Sequence, residues 1–177
     1  MYYLVIGNII SFAGAIVMVL IGLIKERKKI LSAQIAQFSL MGLGNLVLGG
    51  PTGFITNMVS IVRNLICFKW EFTWPLKIGF IVLQTVLAAI FNQNGLIGWF
   101  PVIGTAMFTF FMDTDSDITL KVIIILSEVL WCIFDFSVKN FSSLAFDVLT
   151  MISTTVGIIM ILKDRGNEKM DVLGEHA

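Results

Sequence analysis

Glu128, Asp135 and Asp147 are acids lying inside stretches that are otherwise apolar. A charge at the centre of a bilayer costs roughly 2.5–3.5 kcal/mol or more unless it meets a partner or a water-filled cavity. Glu128, Trp131 and Asp135 follow one another at i, i+3 and i+7, the spacing that stacks side chains on one face of a helix. That face is expected to turn inward, away from lipid. Glu128 falls about ten residues into its apolar run, or ~15 Å at 1.5 Å per residue, too deep to reach interfacial water. Such a carboxylate can accept a proton or attract a cation; equally, a neutral Glu can hydrogen-bond to a neighbouring helix and do nothing more. Asp135, nearer the end of the same run, has the same coupling chemistry open to it, or the duty of a hydrated mouth residue.

Asn57 and Asp147 each lie about six residues, or ~9 Å, inside the ends of their runs. There they can grip one ligand from two sides, or form a hydrogen-bonded clasp between helices. Trp131 and Met41 can supply an aromatic and apolar pocket wall, although such side chains also simply pack. Arg63 is the one base well inside an apolar run; it either snorkels to the nearby interface or forms an internal ion pair with one of the acids. Even when paired it leaves a surplus of acid, which favours protons or a cationic or neutral solute over an anion. Gln34 and Gln37 read as interhelical hydrogen bonds rather than ligand contacts.

Other chemistries find no support. Cys67 and Cys132 lie in apolar runs without CxxC spacing, and the sole histidine, His176, sits in a polar tail, so no metal site or His-based catalytic group is expected. There is no glycine-rich phosphate loop of the P-loop type. The expectation is a protein without a cofactor and without enzyme activity.

The elements that must position these residues follow from composition. With 57% hydrophobic and 14% charged residues and a mean hydropathy of +0.92, the chain cannot coat a water-soluble globule with polar surface. Its 177 residues are nearly consumed by spans of about 20 residues, each crossing a ~30 Å apolar core. Apolar runs separated by charge, Gly, Pro and Asn predict seven helices, near 3–24, 30–48, 52–68, 74–92, 95–112, 118–137 and 141–162. This is an all-α polytopic bundle, a single transmembrane domain over about 1–163, followed by a polar cytoplasmic tail over 164–177 expected to be disordered. The formal net charge is zero, and the expected surroundings are a lipid bilayer and an unidentified small solute, with no nucleic acid; self-association is left open. No small-residue cleavage site precedes Lys25, so the first helix is expected to be retained.

Basic residues predict orientation, because Lys and Arg are held on the cytoplasmic side during insertion. Lys25, Arg27, Lys28, Lys29, then Lys69 and Lys77, Lys121, and finally Lys163, Arg165 and Lys169 collect on one side, against Lys139 alone on the other. Seven spans with the N-terminus outside and the C-terminus in the cytoplasm result. Tyr2, Tyr3, Trp70, Trp74 and Trp99 fall near the predicted interfaces, where amphipathic rings are favoured.

An internal repeat also emerges. Sliding the chain by 90 residues puts Gly14 on Gly104, Gln37 on Ser127, Asn45 on Asp135, Gly53 on Ser143 and Asn57 on Asp147. Helices one to three thereby match five to seven in the same orientation, with the fourth as linker, and a three-one-three build of this kind places its substrate near the midplane between the halves.

The stretch from Lys28 through Gly49-Gly50-Pro51-Thr52-Gly53 to Asn57 and Arg63-Asn64, with Leu130-Trp131 and the run from Asp147 to Ile159, resembles the YgjV family of bacterial inner-membrane proteins over nearly the whole chain. A wider resemblance is to the SWEET-like group, which includes sugar transporters, PQ-loop proteins and PnuC vitamin-precursor transporters. That resemblance implies a pocket lined by residues on the second and third helices of each repeat, at Met41 with Asn57 and Trp131 with Asp147. The chain departs from the pattern at Asp147, where an Asn is expected, and in lacking a Pro-Gln dipeptide in the first helices, which weighs against sugar specificity. The expected activity is small-solute transport by alternating access, coupled to protons or cations through Glu128 and Asp135. A non-transporting membrane scaffold or assembly partner, and a channel, are the competing classes.

Overall fold

Prolines mark three of the helix starts. Pro51, Pro75 and Pro101 each occupy the first turn of a helix, where the missing N–H would find no intrahelical partner in any case. A fourth start is capped by Ser116, whose side chain accepts from the Thr119 N–H at 3.3 Å. The computed structural model describes residues 1–21 and 26–174, and side chains throughout these except at 21, 27 and 164–174. Lys25 of the expected basic loop and His176 lie outside the described residues. The order is α1 (Tyr2–Ile21), α2 (Arg27–Val47), α3 (Pro51–Cys67), α4 (Trp74–Phe91), a 3-10 turn (Ile97–Trp99), α5 (Phe100–Phe111), α6 (Asp117–Ser137) and α7 (Phe141–Gly174).

The protein is thus all-α. Tyr2–Leu20, Lys28–Val47, Trp74–Phe91 and Phe141–Lys163 are long and apolar enough to cross a membrane, and Ile97–Phe111 is a shorter apolar helix. The other two helices, α3 and α6, are the ones that carry Arg63 and Asn57, or Glu128 and Asp135. Helices that turn a polar face to an interior lose overall apolarity, while those facing lipid on most sides keep it. Two boundaries differ from expectation: α5 starts only at Phe100, because Ile97–Trp99 winds as a tighter 3-10 turn. At the other end, the backbone of α7 remains helical to Gly174, where composition pointed to a disordered tail.

Burial confirms the bilayer as solvent. Among the described residues, more polar than apolar side chains are buried, and the large exposed side chains are apolar, such as Ile9 and Val19 on α1, Val86 and Ile90 on α4, and Ile152 and Ile159 on α7. In water this distribution would be inverted; in lipid it costs nothing outside and keeps polar groups together inside.

The principal contacts close a ring: α1 packs on α2, α2 on α3, α3 on α5, α5 on α6, α6 on α7, and α7 back on α1, with α4 outside against α3 and α5. The Gln84 amide of α4 donates to the Val102 carbonyl of α5 at 3.1 Å, and the Lys77 ammonium donates to Asp113 just beyond α5. The two tight turns of the ring are the same turn. Between α2 and α3, the N–H groups of Leu48, Gly49 and Gly50 donate to the carbonyls of Gly44, Leu46 and Asn45; between α6 and α7, those of Val138, Lys139 and Asn140 donate to Phe134, Phe136 and Asp135. Every partner is displaced by 90 residues, and the middle residue of each turn is left-handed, Gly49 at φ +81 and Lys139 at φ 61.

Candidate functional site

Inside the ring lies a cavity of about 430 Å³, lined from α1, α2, α3, α5, α6 and α7. Every candidate residue faces it: Met41, Asn57, Arg63, Glu128, Trp131, Asp135 and Asp147. The helical face predicted for Glu128, Trp131 and Asp135 is the face that α6 turns inward. A second, shallower groove between α1 and α7 is lined mainly by apolar side chains such as Ile9, Phe12 and Phe141 on the lipid-facing surface, and it offers no titratable group.

Two glycines 90 residues apart in the sequence both stand behind the cavity wall. A β-carbon on Gly14 of α1 would come within 2.8 Å of Met41 Cγ, and one on Gly104 of α5 within 3.4 Å of Trp131 Cδ1 and 3.0 Å of Ser127 Oγ. The absence of a side chain at both glycines lets the first helix of each half press Met41 or Trp131 toward the cavity. Trp131 also meets Phe134 edge to face, ring centres 6.0 Å apart.

Three acids converge on one side. Asp147 stands within hydrogen-bond reach of both Glu128 and Asp135. A hydrogen bond between two carboxyl groups needs a proton on one of them, and without it the cluster calls for a cation. Asp135 and Asp147 are buried, Glu128 half-buried, and among the described residues no N–H or hydroxyl donates to Asp135 Oδ1 or Asp147 Oδ2. The acids do not form a metal-binding group among the described residues.

Asn57 donates from Nδ2 to the Gly53 carbonyl of its own helix at 2.7 Å, and no hydrogen bond joins it to Asp147 among the described residues. The clasp that the sequence left open between these two is not made, and both border the cavity. Arg63 corrects an expectation. It neither snorkels nor pairs with an acid: its side chain is buried, Nη1 donates to Thr109 Oγ1 at 3.0 Å, and the guanidinium lies 5.8 Å from the Phe108 ring centre. The reason is position, since Thr109 on the adjacent α5 offers a nearer acceptor than the acids of α6 and α7. Gln34 accepts from Asn64 Nδ2 at 2.9 Å, an interhelical bond as expected, whereas Gln37 reaches Met41 Sδ of its own helix at 3.6 Å.

Hydrogen bonds gather at the end of the ring that holds the two tight turns. Asn140 donates to Asn45 at 2.8 Å. Asn8 donates to the Lys139 carbonyl at 2.9 Å and accepts from the Ser142 N–H at 3.0 Å, while Asn94 donates to the Gly49 carbonyl at 3.1 Å. One tight turn is thus held by an asparagine amide of α1, and the other by one from the connection between α4 and α5. Asn45, Asn140, Ser60, Ser127 and Phe108 were not singled out from sequence. The repeat match of Asn45 with Asp135 and of Gln37 with Ser127 pointed to two of them, while nothing local marked Phe108 or Thr109.

No curated protein and no solved structure matches this chain. A family model described as bacterial inner membrane protein matches residues 5–165, spanning the whole ring and α4. A multi-pass helix bundle with lipid-facing apolar sides agrees with that description, and the chain belongs to the YgjV family of bacterial inner membrane proteins.

Proposed function

We propose that the protein is a small-solute carrier in which two parallel three-helix units, α1–α3 and α5–α7, joined by α4 in a SWEET-like three-one-three arrangement, rock about the central cavity to give alternating access. The observation that carries this reading is the acid-lined cavity enclosed between the units. A scaffold would gain little from holding oxygens of Asp135 and Asp147 buried with no N–H or hydroxyl donating to them among the described residues, because a buried polar atom without a partner costs desolvation. In this reading Met41, Asn57, Trp131 and Asp147 contact the solute, and Glu128 and Asp135 take up the coupling proton or cation. All seven helices cross the membrane, and the N-terminus lies outside with the C-terminus in the cytoplasm, as the basic residues suggest. The end joined by the Asn45–Asn140 hydrogen bond is then the outer end.

The test separates carrier from scaffold by stability. Asn57→Ala and Asp147→Ala are expected to melt in detergent close to the parent protein and to lose the stabilisation that a bound metabolite gives it. Melting temperatures lowered by several degrees in both variants, with no metabolite stabilising the parent in a broad screen, contradict the carrier.

A further inference from the structure

The cavity carries opposite charges at different depths. Arg63 lies six residues beyond Asn57 on α3, a helical rise of ~9 Å, and Asn57 is the repeat counterpart of Asp147. The guanidinium borders the same cavity and, among the described residues, forms no ion pair with an acid. Thr109 and Phe108 fix its orientation, yet its Nε, buried, has no acceptor. On the acidic side, Asp135 Oδ1, Asp147 Oδ2 and Ser143 Oγ are likewise without partners. All four residues line the cavity and are more than nine-tenths buried. Among the described residues the ion pairs are Lys29 with Glu26 and Lys77 with Asp113, neither of them in this cavity. Burying a base and three acids in one cavity without letting them meet costs desolvation on both sides and gains no attraction. A ligand that carries both charges supplies the counter-charge that each side lacks.

We infer that the cavity binds an amino-acid-type zwitterion: an ammonium group among Glu128, Asp135 and Asp147, a carboxylate at Arg63, and a small apolar body against Met41 and Trp131. Ser60, which lines the cavity about one turn from Arg63, adds a hydroxyl donor for the carboxylate. A planar guanidinium with free N–H groups matches a carboxylate better than a point charge does. The volume of about 430 Å³ is within the range of small-molecule pockets and admits a single amino acid or a dipeptide. This inference rests on the carrier reading for the cavity being a solute site, but not on movement of the solute.

The experiment is calorimetric titration of the purified full-length protein with the proteinogenic L-amino acids and a set of dipeptides. The tightest binder is then compared with its methyl ester, which keeps only the ammonium, and its N-acetyl derivative, which keeps only the carboxylate. Each capped form is expected to bind roughly tenfold or more weakly, the loss of one charge-assisted hydrogen-bonded partner. Arg63→Gln is expected to weaken the parent zwitterion to the level of the ester and to leave the ester unchanged, whereas Glu128→Gln weakens both. The comparison of capped and uncapped ligands needs no variant, so a misfolded Arg63→Gln does not rescue the idea. Absence of binding by every zwitterion, or an ester that binds as tightly as its parent, overturns it. A zwitterion that binds but is not taken up by liposomes removes the carrier reading and leaves this inference standing; an ester bound and transported as well as its parent does the reverse.

Discussion

Asn140 donates from Nδ2 to Asn45 Oδ1 at 2.8 Å, tying the end of α2 to the turn that begins α7. The two belong to different three-helix units, and each is almost fully buried. Asn140 Oδ1 also accepts from the Ser143 N–H at 3.3 Å, so one side chain both caps α7 and joins the units. Phe134 packs against the glycines of the α2–α3 turn beside this bond. At this end of the ring a buried polar bond is thus backed by an aromatic ring.

Breaking that bond should loosen the seam without unfolding the units. Asn45→Ala and Asn140→Ala are each expected to lower stability, and a double-mutant cycle on thermal or denaturant unfolding in micelles should return a coupling of roughly 0.5–1.5 kcal/mol. Strict additivity of the two changes would mean that the bond does not hold the units together.

The repeated turn makes an opposite prediction at Lys139. A left-handed backbone costs a residue with a β-carbon roughly 1–2 kcal/mol, and the equivalent position in the first unit is already glycine. Lys139→Gly should therefore stabilise the protein by about 1 kcal/mol. Gly49→Ala should destabilise it by a similar amount through the backbone alone, since nothing lies within 4 Å of the added carbon. Denaturant midpoints for the two variants that move in the same direction would refute the shared turn geometry.

The pairing of Lys77 with Asp113 predicts a pH dependence. The Lys77 hydrogen bond, aided by its charge, holds the Asp113 carboxyl below the ordinary value of 3.8. A carboxyl depressed in the folded state contributes stability that is fully present above its unfolded value and is lost as the pH falls through the lower, folded one. Asp113→Asn leaves the buried Lys77 ammonium without its counter-charge, so its melting temperature should lie below that of the parent near neutrality. The gap should hold as the pH is lowered to about 5 and shrink below about 4. A gap that instead widens in acid would show that the pair does not act this way.

Much of the site was legible in the sequence because the requirement behind it is severe. An acid in an apolar run must find shelter, so Glu128, Asp135 and Asp147 announced an interior, and the i, i+3, i+7 spacing assigned the face of α6. The repeat matched Asn57 to Asp147, and the resemblance to the SWEET-like group pointed to Met41 and Trp131. Lys77, read only as a topology marker, is also buried, and its burial depends on Asp113, 36 residues away, a meeting that no local pattern encodes. Arg63 failed for the same reason: its choice between interface, acid and hydroxyl is decided by Thr109 on α5, 46 residues along the chain. The 3-10 turn before α5 was hidden because Ile97, Gly98 and Trp99 are as apolar as a membrane helix, and hydropathy does not distinguish the tighter winding.

Water inside and lipid outside can be read on one helix. With Cys67 and Cys132 replaced by alanine, Ser60→Cys, which faces the cavity, should react with membrane-impermeant thiol reagents, while Val62→Cys, which faces outward, should not. No reaction at Ser60→Cys would indicate a dry interior.

The decisive measurement is uptake into proteoliposomes of the metabolite that most stabilises the purified protein, for the parent and for Glu128→Gln matched to it in melting temperature. Removal of the half-buried carboxylate should cut uptake roughly tenfold or more, the kinetic equivalent of losing about 1.4 kcal/mol of interaction. A well-folded Glu128→Gln that carries the metabolite at the parental rate would show that the acids of the cavity take no part in moving it.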